Sequence, residues 1–251
     1  MPVVCPTVGE RYPAFAIVGM YAPGSDVVQH VGLLQRAVVF SGEEFPVYDQ
    51  QPPPRLAPDA TATMPTDLVG YIELDESEVE GFQVEIGRLR TMFEGQRLRP
   101  AKTYTARPAI EVQSADGGAT VLYYRFSCVG FVQHCYRRVL GRALVDDVLP
   151  SVTLAEVVPV WVAATDPSLR AMMGLPPPEP WDVLLPSHAF HAIEQAGARP
   201  YALPFRATAQ HARFPKPAAT AADPAAPAAP AAAVPPSEPE SPTPPPSGAR
   251  R

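Results

Sequence analysis

The chain has 251 residues, 34 of them proline, with a formal net charge of −6. An acidic balance without a basic stripe excludes a general nucleic-acid binder, and no run reaches the ~20 consecutive apolar residues of a membrane-spanning helix. Three cysteines, Cys5, Cys128 and Cys135, fit neither a disulfide framework nor a zinc ribbon. With an N-terminus (Met1-Pro2-Val3-Val4-Cys5-Pro6) that lacks a charged n-region and an apolar h-region, they predict an unexported cytoplasmic protein.

In chain order, the apolar runs 15–21 and 27–34 read as two strands separated by the turn-rich Ala22-Pro23-Gly24-Ser25-Asp26. A third strand is expected over Arg36 to Ser41, followed by an irregular connection from Gln51-Pro52-Pro53-Pro54 to about Pro65, and then a strand over Asp67 to Leu74. Asp75 and Glu78 have the spacing of a capping box. Beyond them, Val79, Phe82, Ile86, Leu89 and Phe93 recur on one helical face to Gln96. A turn over Ser114 to Gly118 separates the runs 109–112 and 120–124, which form a hairpin or lead into the next helix.

That helix opens at Cys128. Cys128, Phe131, Val132, Cys135, Tyr136, Val139 and Leu140 share one face, and Gly141 is placed to end it. Beyond Pro150, apolar stretches alternate with prolines, and a last helix runs from Pro186-Ser187 to Ala196 with Ser187 as cap and Gly197 as stop. From Lys216 onward the chain is nearly all Ala, Pro, Ser, Thr and Glu, with no aromatic residue. Such a segment buries too little apolar surface to offset its entropy, so the reading is one α+β domain over 1–215 and a disordered tail over 216–251.

A cysteine at a helix start is chemically distinctive. The first N–H groups of a helix have no intrahelical partner, and with the helix dipole they favour a thiolate and offer donors to an oxyanion. A thiolate nucleophile also needs a base, usually His, held by a third group. His30 sits inside a strand, where the sheet would fix it, and ranks first by position. His188, on the last helix, ranks second. His134 follows Cys128 on the same helix and points elsewhere. His188 and His191 form a His-x-x-His pair without the Glu of a metalloprotease arrangement, and Cys135 reads as core packing. No metal or cofactor is expected.

Ser127-Cys128-Val129-Gly130-Phe131-Val132-Gln133-His134-Cys135-Tyr136 resembles the nucleophile helix of NlpC-like papain-fold cysteine hydrolases, usually Asp-Cys-Ser-Gly-Leu/Phe-Val. His30-Val31-Gly32-Leu33-Leu34 resembles that branch's His-Val-Gly-Ile strand. His30 precedes Cys128, which resembles the circularly permuted subgroup that includes lecithin retinol acyltransferase-like proteins. The resemblance covers about Phe15 to Leu149. It departs from the pattern at Ser127 and Val129.

The resemblance implies a papain-like antiparallel sheet packed on the Cys helix. It also implies attack by Cys128 on a peptide, amide or acyl-ester carbonyl, with His30 as base and the N–H of Cys128 or Val129 holding the oxyanion. A third polar residue, which orients the His, is expected from the strand after His30. Ser41, Glu43 and Glu44 are the candidates, with Glu43 preferred because a carboxylate best stabilises imidazolium. The competing expectation is a degenerate site in the same fold, serving as a binding module.

Overall fold

A computed structural model of the chain describes residues 3–50, 62–96, 104–116, 118–197 and 202–217. Its fold is α+β, and every pairing between strands is antiparallel.

The strands are β1 (Val3–Val4), β2 (Arg11–Tyr12), β3 (Ile17–Tyr21), β4 (Val28–Leu34), β5 (Val38–Val39), β6 (Phe45–Tyr48), β7 (Thr63–Met64), β8 (Leu68–Gly70), β9 (Ile110–Asp116), β10 (Ala119–Arg125), β11 (Ser151–Val152) and β12 (Trp181–Asp182). The helices are α1 (Glu76–Gln96), α2 (Cys128–Leu140), α3 (Leu154–Val157), α4 (Pro167–Met172) and α5 (Pro186–Ala196). Six strands form the main sheet in the order β1-β8-β3-β4-β6-β7.

The two expected opening strands form as β3 and β4. Between them the chain turns through Gly24 at φ 67, closed by Ala22 N–H donating to Val27 O at 2.8 Å. The strand expected over Arg36 to Ser41 shrinks to β5, which pairs with β2 in a sheet of its own. Gly42, at φ 91, then turns the chain so that β6 becomes the neighbour of β4. The strand expected over Asp67 to Leu74 keeps only Leu68–Gly70, because the Asp67 carboxylate is engaged in accepting the Tyr21 N–H at 2.9 Å. The irregular connection is described only from residue 62, where β7 adds to β6.

The capping box of α1 is present: Glu78 N–H donates to Asp75 Oδ1 at 2.9 Å, and Asp75 N–H donates to Glu78 Oε2 at 2.8 Å. Phe82 of α1 stacks on Phe15 at 4.9 Å and meets Tyr136 of α2 edge-on at 5.0 Å, so one aromatic chain ties both helices to the sheet. Helix α2 packs on β4, as does α5. Gly19 in β3 makes the α5 contact possible, since a Cβ there would lie 2.5 Å from the Phe190 ring.

Helix α5 starts as expected, but Leu185 occupies the cap position. The Leu185 N–H donates to Nδ1 of His188 at 3.2 Å, and the Ser187 hydroxyl instead donates to Ala212 O at 2.7 Å.

Residues 150–185, read from sequence only as apolar stretches between prolines, build a second core. Val152, Val157, Trp161, Leu175 and Leu185 pack there with Tyr104 and with Val27 from the turn before β4. Residues 202–217 run back along the domain. Phe205 N–H donates to Leu144 O at 2.8 Å, Phe214 N–H donates to Asp26 O at 3.0 Å, and Arg213 Nη1 donates to Asp26 Oδ1 at 2.5 Å. Of the expected tail only Lys216 and Pro217 are described. Lys216 sits 5.0 Å over the Tyr21 ring, and Pro217 O accepts from Cys5 Sγ at 3.7 Å. The rest of the tail lies outside the described residues. Among the described residues, no helix is long and apolar enough to cross a membrane.

Candidate active site around Cys128 and His30

Cys128 is the first residue of α2. Ser127 is its N-cap, with extended backbone (φ −84, ψ −178) and an Oγ that accepts the Gly130 N–H at 3.2 Å. The next N–H, of Phe131, is taken by Ser127 O at 2.8 Å. The N–H groups of Cys128 and Val129 fall outside the intrahelical ladder, at the positive end of the helix. Ser127 therefore does the capping work that an Asp would do in its place, without adding a charge beside the sulfur.

His30 lies in the middle of β4, and its side chain is electrostatically coupled to Cys128. Its Nε2 is bonded to Asp49 Oδ2 at 2.8 Å. That leaves Nδ1 as the ring nitrogen for the sulfur. Asp49 is 1% exposed while the His30 side chain keeps 12%, so the ring is anchored from inside and open at one edge. Burial alone would push the imidazole pKa down. The facing Cys128 and the Asp49 carboxylate outweigh it and raise it to about 10.

Asp49 takes the place expected for Glu43. The register Leu33↔Tyr48 and Leu34↔Val47 carries Asp49 level with Gly32, close to His30, and leaves Glu43 before the strand at the far end. Gly32 permits the approach, because a Cβ there would lie 3.0 Å from Tyr48 O and 3.4 Å from the Asp49 Cβ. Ser41, Glu43 and Glu44 are all exposed, and Glu44 is bonded to Thr63. Asp49 could have been found from the alternation Phe45, Val47, Asp49, whose members all face inward.

The other candidates go elsewhere. His188 is fully buried. Burial and its neighbours His191 and His211 push it down to about 3, and its Nε2 has no hydrogen-bond partner. His134 Nε2 is bonded to Glu85 Oε1 at 2.7 Å. Burial would raise Glu85, yet its hydrogen bonds to Arg88 and His134 hold it at about 2. Cys135 is fully buried, and burial pushes its thiol up. Among the described residues no group of three or more His, Cys, Asp or Glu is placed to hold a metal.

Two further residues lie near the site that periodicity could not single out. Tyr104 is fully buried, within electrostatic reach of Cys128 and beside the Trp161 indole, and burial pushes its hydroxyl well up. Trp161 lines an open cavity of about 280 Å³ together with Met20, Val160, Val162, Ala163, Gln29 and His30. Cys128 is only 1% exposed and does not line the cavity, so His30 is the member of the pair that faces it. The chain was compared with known protein families, with curated proteins and with solved structures, and it matches none of them.

Proposed function

We propose that the protein is a cysteine hydrolase with a permuted papain-like core. Cys128 is the nucleophile, His30 the proton carrier and Asp49 the residue that orients the imidazole. The observation that carries this reading is the placing of His30 between Asp49 and Cys128, with one ring nitrogen on the carboxylate and the sulfur, electrostatically coupled to the imidazole, at a helix N-terminus.

With His30 raised to about 10, the imidazole starts the reaction already protonated. In acylation, Sγ bonds to the carbonyl carbon of an amide or ester and the oxyanion meets the Cys128 or Val129 N–H. The Tyr104 hydroxyl, electrostatically coupled to Cys128, is the side chain offered as a second donor. The C–N or C–O bond then breaks as the His30 proton passes to the leaving amine or alcohol. In deacylation, a water loses its proton to His30 and attacks the thioester, releasing the acid and the thiolate.

A second reading is a binding module with a silent site, and the 1% exposure of Cys128 favours it. Iodoacetamide labelling near neutral pH separates the two. The hydrolase reading expects Cys128 to react faster than Cys135 and His30→Ala to abolish that difference. Equal rates for the two thiols remove it.

A further inference from the structure

We infer that the cavity beside His30 is the subsite for the acyl side of the substrate, and that it takes a compact, uncharged apolar group attached to the scissile carbonyl. This rests on the hydrolase reading and adds the substrate class. Three observations carry it.

The first is position: the cavity shares His30 with the reactive pair, and Trp161 on its wall adjoins Tyr104, itself within reach of Cys128. A group held in it lies against the imidazole that the hydrolase reading makes the proton carrier. The second is chemistry. The wall is Met20, Val160, Trp161, Val162 and Ala163, and besides the imidazole the polar side chain on it is the neutral carboxamide of Gln29. An ionised side group entering it would lose hydration with no opposite charge to receive it, except a carboxylate against His30, which would occupy the catalytic imidazole itself.

The third is size. The cavity holds about 280 Å³, and at about 30 Å³ per water-sized group it takes roughly nine such groups. A Leu or Phe side chain or a six- to eight-carbon acyl tail fits, whereas a palmitoyl chain overruns it. Val160 and Trp161 belong to the second core and Ala163 packs against it, so specificity is set by the part of the chain that the nucleophile and base do not occupy.

The test is a rate series on the full chain, with p-nitrophenyl esters from acetyl to palmitoyl and coumarin amides of N-acetyl-Leu, N-acetyl-Asp and N-acetyl-Lys. The series that is turned over identifies the source, ester or peptide. Within it, kcat/KM is expected to peak at butanoyl to octanoyl, or at Leu, by about tenfold over palmitoyl or over both charged amides. Ala163→Phe, at a half-buried wall position, is expected to lower the octanoyl-to-acetyl or Leu-to-charged ratio about tenfold. A flat series, a maximum at palmitoyl, a preference for a charged amide or an unchanged ratio in the variant overturns the inference.

If nothing is turned over and Cys128 labels no faster than Cys135, the hydrolase reading fails separately. The cavity is then tested by titrating hexanamide against tryptophan fluorescence. A saturable change lost in Ala163→Phe retains an apolar acyl-sized site, and no change overturns it.

Discussion

His30, half-buried on a strand of the main sheet, and His188, fully buried on a helix packed against it, are driven in opposite directions, to about 10 and about 3. Burial opposes the charged form in each. At His30 the Asp49 carboxylate and the Cys128 sulfur overcome it, whereas His188 has only a backbone N–H on Nδ1 and two other histidines nearby. The imidazole that is held on a carboxylate is the one whose charged form is favoured despite desolvation. Without one it becomes a neutral strut.

The comparison breaks most visibly at Asp49. Asp49→Asn removes the carboxylate and leaves Cys128 to oppose burial, so the His30 pKa is expected to fall from about 10, read from its Hε1 NMR shift against pH. Cys128 labelling should slow about a hundredfold at neutral pH, on the scale of losing a group that orients a catalytic imidazole. Glu43→Gln is the control and should change neither.

Stability against pH sharpens it next. His30 is raised, so its contribution to stability is fully present below about 6.5, the unfolded value, and is lost as pH climbs through about 10. His188 is lowered, so its contribution is present above about 6.5 and is lost as pH falls through about 3. In urea unfolding, Asp49→Asn should flatten the alkaline limb, and His188→Asn, which can still accept the Leu185 N–H, should flatten the acid limb alone.

Tyr104→Phe is expected to lower kcat about tenfold, below the usual loss for an oxyanion donor because two backbone donors remain. Its unfolding midpoint should change little, since a buried hydroxyl whose polar neighbour is the Trp161 indole is removed and the ring stays in place. The smallest effect concerns packing alone. Gly19→Ala should cost about 1–3 kcal/mol in unfolding free energy by pushing Phe190 off β3, with the pH profile of labelling unchanged.

Much of this site was readable in residue order. Cys128 announced itself because a helical face begins on it, and His30 because it interrupts an apolar strand. Both signals are local and periodic. Asp49 was obscured because the partner strand was placed at Arg36 to Ser41, one turn too early, and the turn at Gly42 that displaces it depends on how the chain returns along β4. The inward alternation of Phe45, Val47 and Asp49 was available and would have outweighed the proximity of Glu43. Tyr104 and Trp161 had no such signal. They belong to the second core, whose short helices α3 and α4 and proline-bounded segments have no period long enough to read. Ser187 was read as a cap because its residue type suits one, but its hydroxyl is claimed by Ala212, a tertiary contact.

The turn between β3 and β4 is held at Asp26 by Arg213 and Phe214, partners that lie 187 residues or more downstream. In chain order, then, the hairpin that carries His30 is pinned by a segment lying beyond Cys128, so a change at Arg213 acts on that turn from a position remote in sequence from both Cys128 and Asp49.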